Sequence, residues 1–112
     1  MIAALTLPAL PVIPAQAAVA ATGCPRPATA DLDSGWGIMR GAYNLKKGPY
    51  AAPVCGTVTK VSQGKKLYFQ CWTTNSHGHR WVYARVKGTK TYGWMSVDNL
   101  KVISTDRYPL CP

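Results

Sequence analysis

Hydrophobic and polar positions along the chain alternate in short runs that predict β-strands. From Trp36 onward, stretches of apolar, aromatic or β-branched residues are separated by turn-forming residues, as in Ser62-Gln63-Gly64 and Lys87-Gly88-Thr89-Lys90. No window long enough for a helix carries apolar residues at a period of about 3.6. The pattern therefore predicts an all-β sandwich or barrel. The clearest predicted strands cover residues 54–61, 65–72, 81–86 and 91–96.

Alternation within residues 81–86 separates a core face from a surface face. The even-numbered residues are small and apolar and suit a tight interior, so the odd-numbered ones face the other way. An exposed Trp81 beside an exposed Tyr83 would form a surface typical of binding. Phe69 and Trp94 are instead predicted to fill the core. The predicted core face consists of Val82, Ala84 and Val86, and Arg85 joins the surface face.

The first 20 residues carry no charge and consist mostly of Ala, Leu, Ile, Val and Pro. Prolines recur at every third position from Pro8 to Pro14, which argues against a transmembrane helix. The small-residue triplets 15–17 and 18–20 suit signal cleavage, so residues 1–20 are interpreted as a secretory signal peptide. Because no Lys or Arg precedes the apolar run, either the start lies upstream or the segment is not a signal. Residues 21–35 are predicted to form an extended arm, followed by one domain over 36–112.

The charged residues are strongly unbalanced. The chain has 13 Lys and Arg against four acidic residues, a formal net charge of +9, and all the acidic residues are Asp. Such an excess favours attraction to polyanions, namely nucleic acid, acidic lipid headgroups or the anionic polymers of a bacterial wall. The alternative is that the charge serves solubility alone.

Four cysteines occur without any C-x-x-C pair, which argues against a zinc or thioredoxin-like site. An even count in a small exported chain predicts two disulfides. A hairpin turning at Gln63 would place Cys55 opposite Cys71, and Cys24 would then pair with Cys111 by elimination. A lipid-modified Cys24 is an alternative, because Ala21-Thr22-Gly23-Cys24 loosely matches a lipobox.

Four short motifs follow one another along the chain. They are N-L-K-K-G-P at 44–49, V-C-G-T-V at 54–58, W-V-Y-A-R-V-K-G at 81–88 and Y-G-W-M-S-V-D-N-L at 92–100. In order and spacing they resemble bacterial SH3 domains, an extracellular family that typically shows Asn-Val-Arg-x-Gly-Pro near the start and Gly-Trp-Val near the end. The resemblance covers about Trp36 to Val102 and implies a small SH3-like barrel of five or six short antiparallel strands, stapled here by two disulfides.

Lys46-Lys47-Gly48-Pro49 falls in the long loop that such a barrel has after its first strand. Gly48 is expected to allow an unusual φ and Pro49 to fix the next one. Lys46 and Lys47 would add charge at the edge of a groove. A single Gly without a following helix does not suit a phosphate-cradling loop.

The resemblance implies a ligand-binding groove, because many exported bacterial SH3 domains are thought to bind cell wall. The four residues Trp81-Val82-Tyr83-Ala84 are similar to the Trp-x-x-Ala of eukaryotic SH3 domains, which implies Trp81 as the platform of the groove and Ala84 as a core residue. The ligand-binding residues implied in this way are Tyr43, Asn44, Tyr50, Trp81, Tyr83 and Asn99.

Catalysis has little support, because the chain offers two His, four Asp and no Glu. His77 and His79 lie in a polar loop that is more typical of solvent exposure than of a metal site. We therefore expect a secreted non-enzyme without cofactor, metal or catalytic residues, monomeric and without a transmembrane segment in the mature chain. Its expected partner is a bacterial cell wall polymer (peptidoglycan peptide or anionic polymer). An extracellular interaction or inhibitor module that binds an extended peptide is the alternative. Nucleic acid is the least favoured partner, because an exported protein is separated from the nucleic acid of the cell.

Overall fold

The computed structural model describes residues 23–112, so the predicted signal peptide and the first two residues of the predicted arm lie outside the described residues. Residues 23–112 form seven strands and one short 3-10 helix, in a single antiparallel sheet of order β3-β2-β6-β5-β4-β1-β7. The all-β prediction is confirmed, with seven strands in place of five or six. The elements are β1 Trp36–Met39, β2 Tyr43–Lys46, β3 Thr57–Val61, β4 Lys66–Thr74, β5 Arg80–Val86, β6 Tyr92–Ser96, the 3-10 helix Val97–Asn99 and β7 Leu100–Ser104.

The four strands predicted most clearly correspond to β3, β4, β5 and β6, with boundaries that differ by up to three residues. The two turns predicted between them are also present, and Gly64 and Gly88 adopt φ values of 82° and 80° there. Three strands had no clear signal: β1 and β2 have four residues each, which is too short to show alternation, and β7 has five. β1 gains its stability from pairing on both sides, with β4 and β7.

All seven strands contribute to one hydrophobic cluster, so the sheet curls around a common interior. The predicted core face of β5 is confirmed, because Val82, Ala84 and Val86 are buried within this cluster. Phe69 is buried in this cluster as predicted, whereas Trp94 is buried on the opposite face of the sheet, outside the cluster. The buried cluster consists of Met39, Leu45, Val61, Leu67, Phe69, Trp72, Val82, Ala84, Val86, Met95 and Leu100.

A β-bulge at Gln70 interrupts the alternation of β4. Phe69 pairs with Ala84 and Cys71 with Tyr83, so Gln70 has no partner of its own on β5. The Gln70 carbonyl instead accepts hydrogen bonds from the backbone N–H groups of Leu32 and Asp33 at 2.8 and 2.9 Å. The bulge thereby provides the attachment point for the arm that precedes β1.

Both disulfides form, but the predicted pairing is wrong. Cys24 is bonded to Cys55 and Cys71 to Cys111, each with a Cα–Cα distance of 4.9 Å. The reason is that the turn at Gln63 joins strands that do not pair with each other: β3 pairs with β2, whereas β4 pairs with β1 and β5. Since the Cys24 sulfur lies in a disulfide, the lipid-modified alternative is also wrong.

Gly48 is needed for close packing and not for an unusual φ, which corrects the expectation from the sequence. Within residues 23–112, the glycines with positive φ are Gly64, Gly78 and Gly88. A Cβ on Gly48 would overlap the Cys24 sulfur and the Pro25 carbonyl. The arm and its disulfide therefore lie directly against the long loop between β2 and β3.

A buried carboxylate joins the arm to the C-terminal segment. Asp33 is 2 % exposed, and its oxygens accept hydrogen bonds from the Trp72 indole N–H at 2.7 Å, the Thr105 hydroxyl, and the backbone N–H groups of Gly35 and Asp106. Such a fully hydrogen-bonded carboxylate is the form in which a buried acid is tolerated. We call these five residues the arm junction.

Candidate binding face

The six residues implied as ligand-binding are spread over β2, the long loop, β5 and the 3-10 helix. Tyr43 and Asn44 are exposed on β2, next to the edge strand β3. Tyr50 lies in the long loop, where its hydroxyl donates a hydrogen bond to Ser76 at 2.9 Å and accepts one from the Ser76 amide. Asn99 lies in the 3-10 helix and donates to the Met95 sulfur. Their side-chain hydrogen bonds go to other residues and not to one another.

Trp81 is buried, which corrects the prediction that it is an exposed groove platform. Only 4 % of the side chain is exposed, and its indole N–H has no hydrogen-bond partner among the described residues. Trp94 and Cys71, on the same face of the neighbouring strands, are buried as well. Alternation assigns Trp81 correctly to the face opposite the core cluster, but it does not reveal that this part of the face is buried.

The two lysines that the sequence assigned to the long loop differ in position and exposure, because Lys46 is the last residue of β2 and only Lys47 lies in the loop. Lys46 is 8 % exposed and pairs with Trp94 across β2 and β6, so it does not present charge at a groove edge as expected. Lys47 is exposed and holds the base of the loop through a backbone hydrogen bond from its N–H to the Gly56 carbonyl.

The outer face of the sheet carries a continuous row of aromatic and cationic side chains. Trp36 pairs with Tyr68, Tyr68 with Arg85, and Arg85 with Tyr92, so the four residues lie side by side on β1, β4, β5 and β6. Directly opposite residues of antiparallel strands point to the same face. Three strand spacings make this row about 14 Å wide. With the flanking Lys66 and Tyr83, we call it the outer belt.

Cations of the outer belt lean over rings of the neighbouring strand. The Lys66 ammonium lies 4.3 Å from the centroid of the Trp36 ring, and the Arg85 guanidinium lies 4.9 Å from the centroid of Tyr68. Both distances fall within the range of cation–π attraction. Two of the rings are therefore already occupied by cations of the protein itself.

Tyr92 differs from these two rings. It stacks on Tyr83 with 5.8 Å between ring centroids and an interplanar angle of 18°, and it is 40 % exposed. Burial, with a further contribution from Tyr92, raises the pKa of the Tyr83 hydroxyl. Tyr83 also packs against buried Trp94 at 5.3 Å, so the stack is supported from below. Tyr83 is thus the one residue of the sequence-based set that lies in the outer belt.

An open depression of about 690 Å³ adjoins the exposed ring of Tyr92. Arg85 is fixed at its edge, because its Nη1 donates a hydrogen bond to the Thr89 carbonyl at 3.1 Å. The turn that follows β5 supplies the remaining wall, including Lys90.

A second depression of about 440 Å³ lies between the arm, the long loop and the β4–β5 loop. Tyr50 and His77 meet there edge to face with 5.7 Å between ring centroids. The lining residues are Gly23, Pro25, Tyr50, Ala52, Val54, Ser76 and His77.

His77 and His79 are exposed in the β4–β5 loop. Among residues 23–112, no three His, Cys, Asp or Glu side chains are grouped so that they could hold a metal ion. No helix in the same part of the chain is long and apolar enough to cross a membrane.

Alternation in β4 could have indicated two residues of the outer belt, Lys66 and Tyr68. Lys66 and Tyr68 alternate with buried Leu67 and Phe69, just as Tyr83 and Arg85 alternate with the core residues of β5. The pairing of these strands was predictable only in outline, and the row becomes visible only once the register is known. The sequence therefore singled out Tyr83 and Arg85 of the outer belt, but not the tyrosine with the exposed ring, Tyr92.

No protein-family model matches the chain, and neither the curated proteins nor the solved structures include one that is significantly similar to it. The chemistry of the outer belt therefore carries the functional proposal.

Proposed function

We propose that the chain is a secreted, non-catalytic binding module with an SH3-like barrel, and that its target is bacterial cell wall. The observation that carries the proposal is the outer belt, which places rings and cations side by side on one face of the sheet. Rings offer flat surfaces to sugars and peptides, and cations attract the anionic polymers of a wall.

Charge and covalent structure support an extracellular target. The chain has 13 basic and four acidic residues, and no Asp or Glu occurs between Asp33 and Asp98. Both disulfides join segments distant in sequence, which suits a small domain in an oxidising compartment. A binding module of this kind needs a fixed partner outside the cell.

Co-sedimentation with purified Gram-positive wall tests the proposal. The protein should pellet at low salt, and rising salt should release most of it, because exposed charges are screened beyond about 8 Å at physiological ionic strength. Tyr92→Ala should reduce the salt-resistant remainder. Trp81→Ala does not suit this purpose, since removing a buried Trp costs about 3–5 kcal/mol of stability. Protein that stays in the supernatant even at low salt contradicts the proposal.

A second candidate is a module that binds an extended peptide. The depression beside Tyr50 favours it, because exposed Val54 and Ala52 give that depression an apolar wall. Panning of a random peptide library on the immobilised protein, followed by competition with Tyr50→Ala, tests this candidate. Selected peptides that bind Tyr50→Ala as tightly as the unchanged chain contradict it.

A further inference from the structure

We propose that the depression beside Tyr92 binds an acidic oligosaccharide, with a sugar ring stacked on Tyr92 and a carboxylate held by Arg85 and Lys90. The inference rests on the proposed function in that it assigns a chemical class of wall ligand to the outer belt. It also separates two roles, because specificity comes from a small site and most of the general attraction comes from the remaining basic residues.

Tyr92 is the suitable platform because its ring is the open one. Trp36 and Tyr68 each have a cation over the ring. Tyr92 instead has Tyr83 stacked against it and keeps 40 % of its surface exposed at the edge of the depression. The C–H bonds of a sugar carry partial positive charge and pack favourably against the negative face of an aromatic ring.

Arg85 is the suitable carboxylate ligand because it is held in place before any ligand arrives. Its guanidinium rests on the Tyr68 ring and donates through Nη1 to the Thr89 carbonyl. Its other N–H groups have no hydrogen-bond partner among the side-chain contacts of residues 23–112, and a guanidinium fork matches a carboxylate in geometry. A fixed side chain loses less conformational entropy on binding.

Lys90 adds a second cation to the wall of the same depression. The residues that line it are Arg85, Gly88, Thr89, Lys90 and Tyr92, so no acidic side chain opposes an anion there. The backbone at Gly88 has a φ of 80°. This conformation allows the tight turn that brings Lys90 back toward β5, the strand that carries Arg85.

A single-stranded nucleic acid could also stack on tyrosines, but the belt favours a sugar ligand. Successive bases require a series of open rings. Here two of the three rings in the row are covered by the protein's own cations, which leaves one open platform. One ring with one fixed guanidinium beside it suits one sugar residue and one charge.

The test uses a soluble tetrasaccharide of N-acetylated hexosamines in which alternate rings carry a carboxylate. Its matched control is the same tetrasaccharide with the carboxylates converted to amides. Titration calorimetry and ¹⁵N NMR should show binding of the acidic form at least about tenfold tighter than of the amide, as expected for a charge-assisted, bidentate contact. The shifts should map to β5, β6 and the turn 87–90.

Four variants separate the contributions. Tyr92→Ala should weaken binding about tenfold to both sugars, because it removes the platform. Arg85→Lys should lose most of the preference for the acidic form while keeping the charge. Lys90→Gln should weaken the acidic form about threefold, whereas Lys101→Gln, the same change on β7, should have no effect. Circular dichroism and melting confirm that each variant is folded.

Three results would overturn the inference. They are equal affinity for the acidic and amide sugars, unchanged affinity in Tyr92→Ala, and tighter binding of a thymidine oligonucleotide than of the acidic sugar. Loss of binding in Tyr43→Ala in place of Tyr92→Ala would return the site to the groove implied by the sequence. If the chain pellets with wall but fails these titrations, the proposed function stands and the inference fails. If it binds the acidic sugar but does not pellet with wall, the inference stands and the proposed function fails.

Discussion

The arm junction and the outer belt each combine aromatic and charged side chains but leave them in opposite states. At the junction, the Asp33 carboxylate accepts four hydrogen bonds and Trp72 is packed between Phe69 and Tyr108, with ring centroids 4.9 and 4.8 Å apart. In the belt, Tyr92 has one face stacked on Tyr83 and is 40 % exposed. The junction satisfies its polar groups internally, whereas the belt leaves a ring and a guanidinium available.

This contrast indicates which region stabilises the domain and which can bind. A buried polar group without its partner costs the full desolvation penalty, so the junction cannot change without a large loss of stability. Exposed side chains away from such networks usually contribute within about 0.5 kcal/mol. The two regions should therefore respond very differently to substitution.

Asp33→Ala should cause the largest loss of stability, about 3–5 kcal/mol, because up to four donors lose their acceptor and each costs about 1–3 kcal/mol before water compensates. Asp33→Asn should lose roughly half as much. It can keep the bonds from Gly35 and Asp106 but places an N–H₂ group against the Trp72 indole N–H and the Thr105 hydroxyl. Urea unfolding measures both values. Tyr92→Ala is the contrasting variant, for which we expect a much smaller loss of stability. If Tyr92→Ala lowers the free energy of unfolding as much as Asp33→Ala does, the distinction between the two regions fails.

Removal of either disulfide should cause the next largest loss of stability. The Cys71–Cys111 and Cys24–Cys55 disulfides close loops with separations of 40 and 31 residues. The double variants Cys71→Ser/Cys111→Ser and Cys24→Ser/Cys55→Ser remove them, and the two disulfides can be compared in this way. By loop closure alone they contribute about 3.9 and 3.7 kcal/mol, which is nearly equal. We expect the loss of Cys71–Cys111 to be the larger, because it also frees the segment that hydrogen-bonds to Trp72 and carries Tyr108. Equal melting temperatures for the two double variants would show that the junction does not depend on this bond.

The sequence predicted β3 to β6, their turns and the core of β5, because these features depend on local alternation and turn residues. It did not predict the disulfide pairing, which depends on which strands are neighbours in the sheet. It also missed the burial of Trp81 and Lys46, because alternation shows which face a side chain lies on and not how far that face is exposed. The outer belt required the register of four strands, and only two of its residues, Tyr83 and Arg85, were singled out from the sequence.

Gly48→Ala should destabilise the domain by about 1–3 kcal/mol, because the added methyl group would overlap the Cys24 sulfur and the Pro25 carbonyl. Gly56→Ala is the matched control in the same loop, since its Cβ would meet only the Lys47 side chain at 3.5 Å or more. In the Cys24→Ser/Cys55→Ser background the arm can move away, so the cost of Gly48→Ala should fall. A cost that is unchanged in that background contradicts the close packing of arm and loop.

The smallest effects concern pH, and they should distinguish the two regions by sign. At the junction, hydrogen bonds from the Ser34 hydroxyl and amide lower the pKa of the Asp106 carboxyl from its ordinary 3.8. A carboxyl whose pKa is lowered in the folded state contributes stability above its unfolded pKa and loses it as the pH falls through the folded value. Asp106→Asn should therefore reduce the acid sensitivity of unfolding below about pH 4.

The outer belt should respond at the alkaline end instead. Burial raises the pKa of the Tyr83 hydroxyl above 10.0, so the folded state keeps a proton that the unfolded state releases first. The stability that this hydroxyl provides is present below its unfolded pKa and is lost as the pH rises through the folded one. The free energy of unfolding of Tyr83→Phe should therefore decline less steeply above about pH 10 than that of the unchanged chain. Tyr43→Phe removes an exposed hydroxyl on β2 and serves as the comparison in urea titrations at pH 7 and pH 10.5 (roughly half a unit above the ordinary pKa). If Tyr43→Phe and Tyr83→Phe change the alkaline decline equally, the partial burial of the Tyr83–Tyr92 stack does not hold in solution.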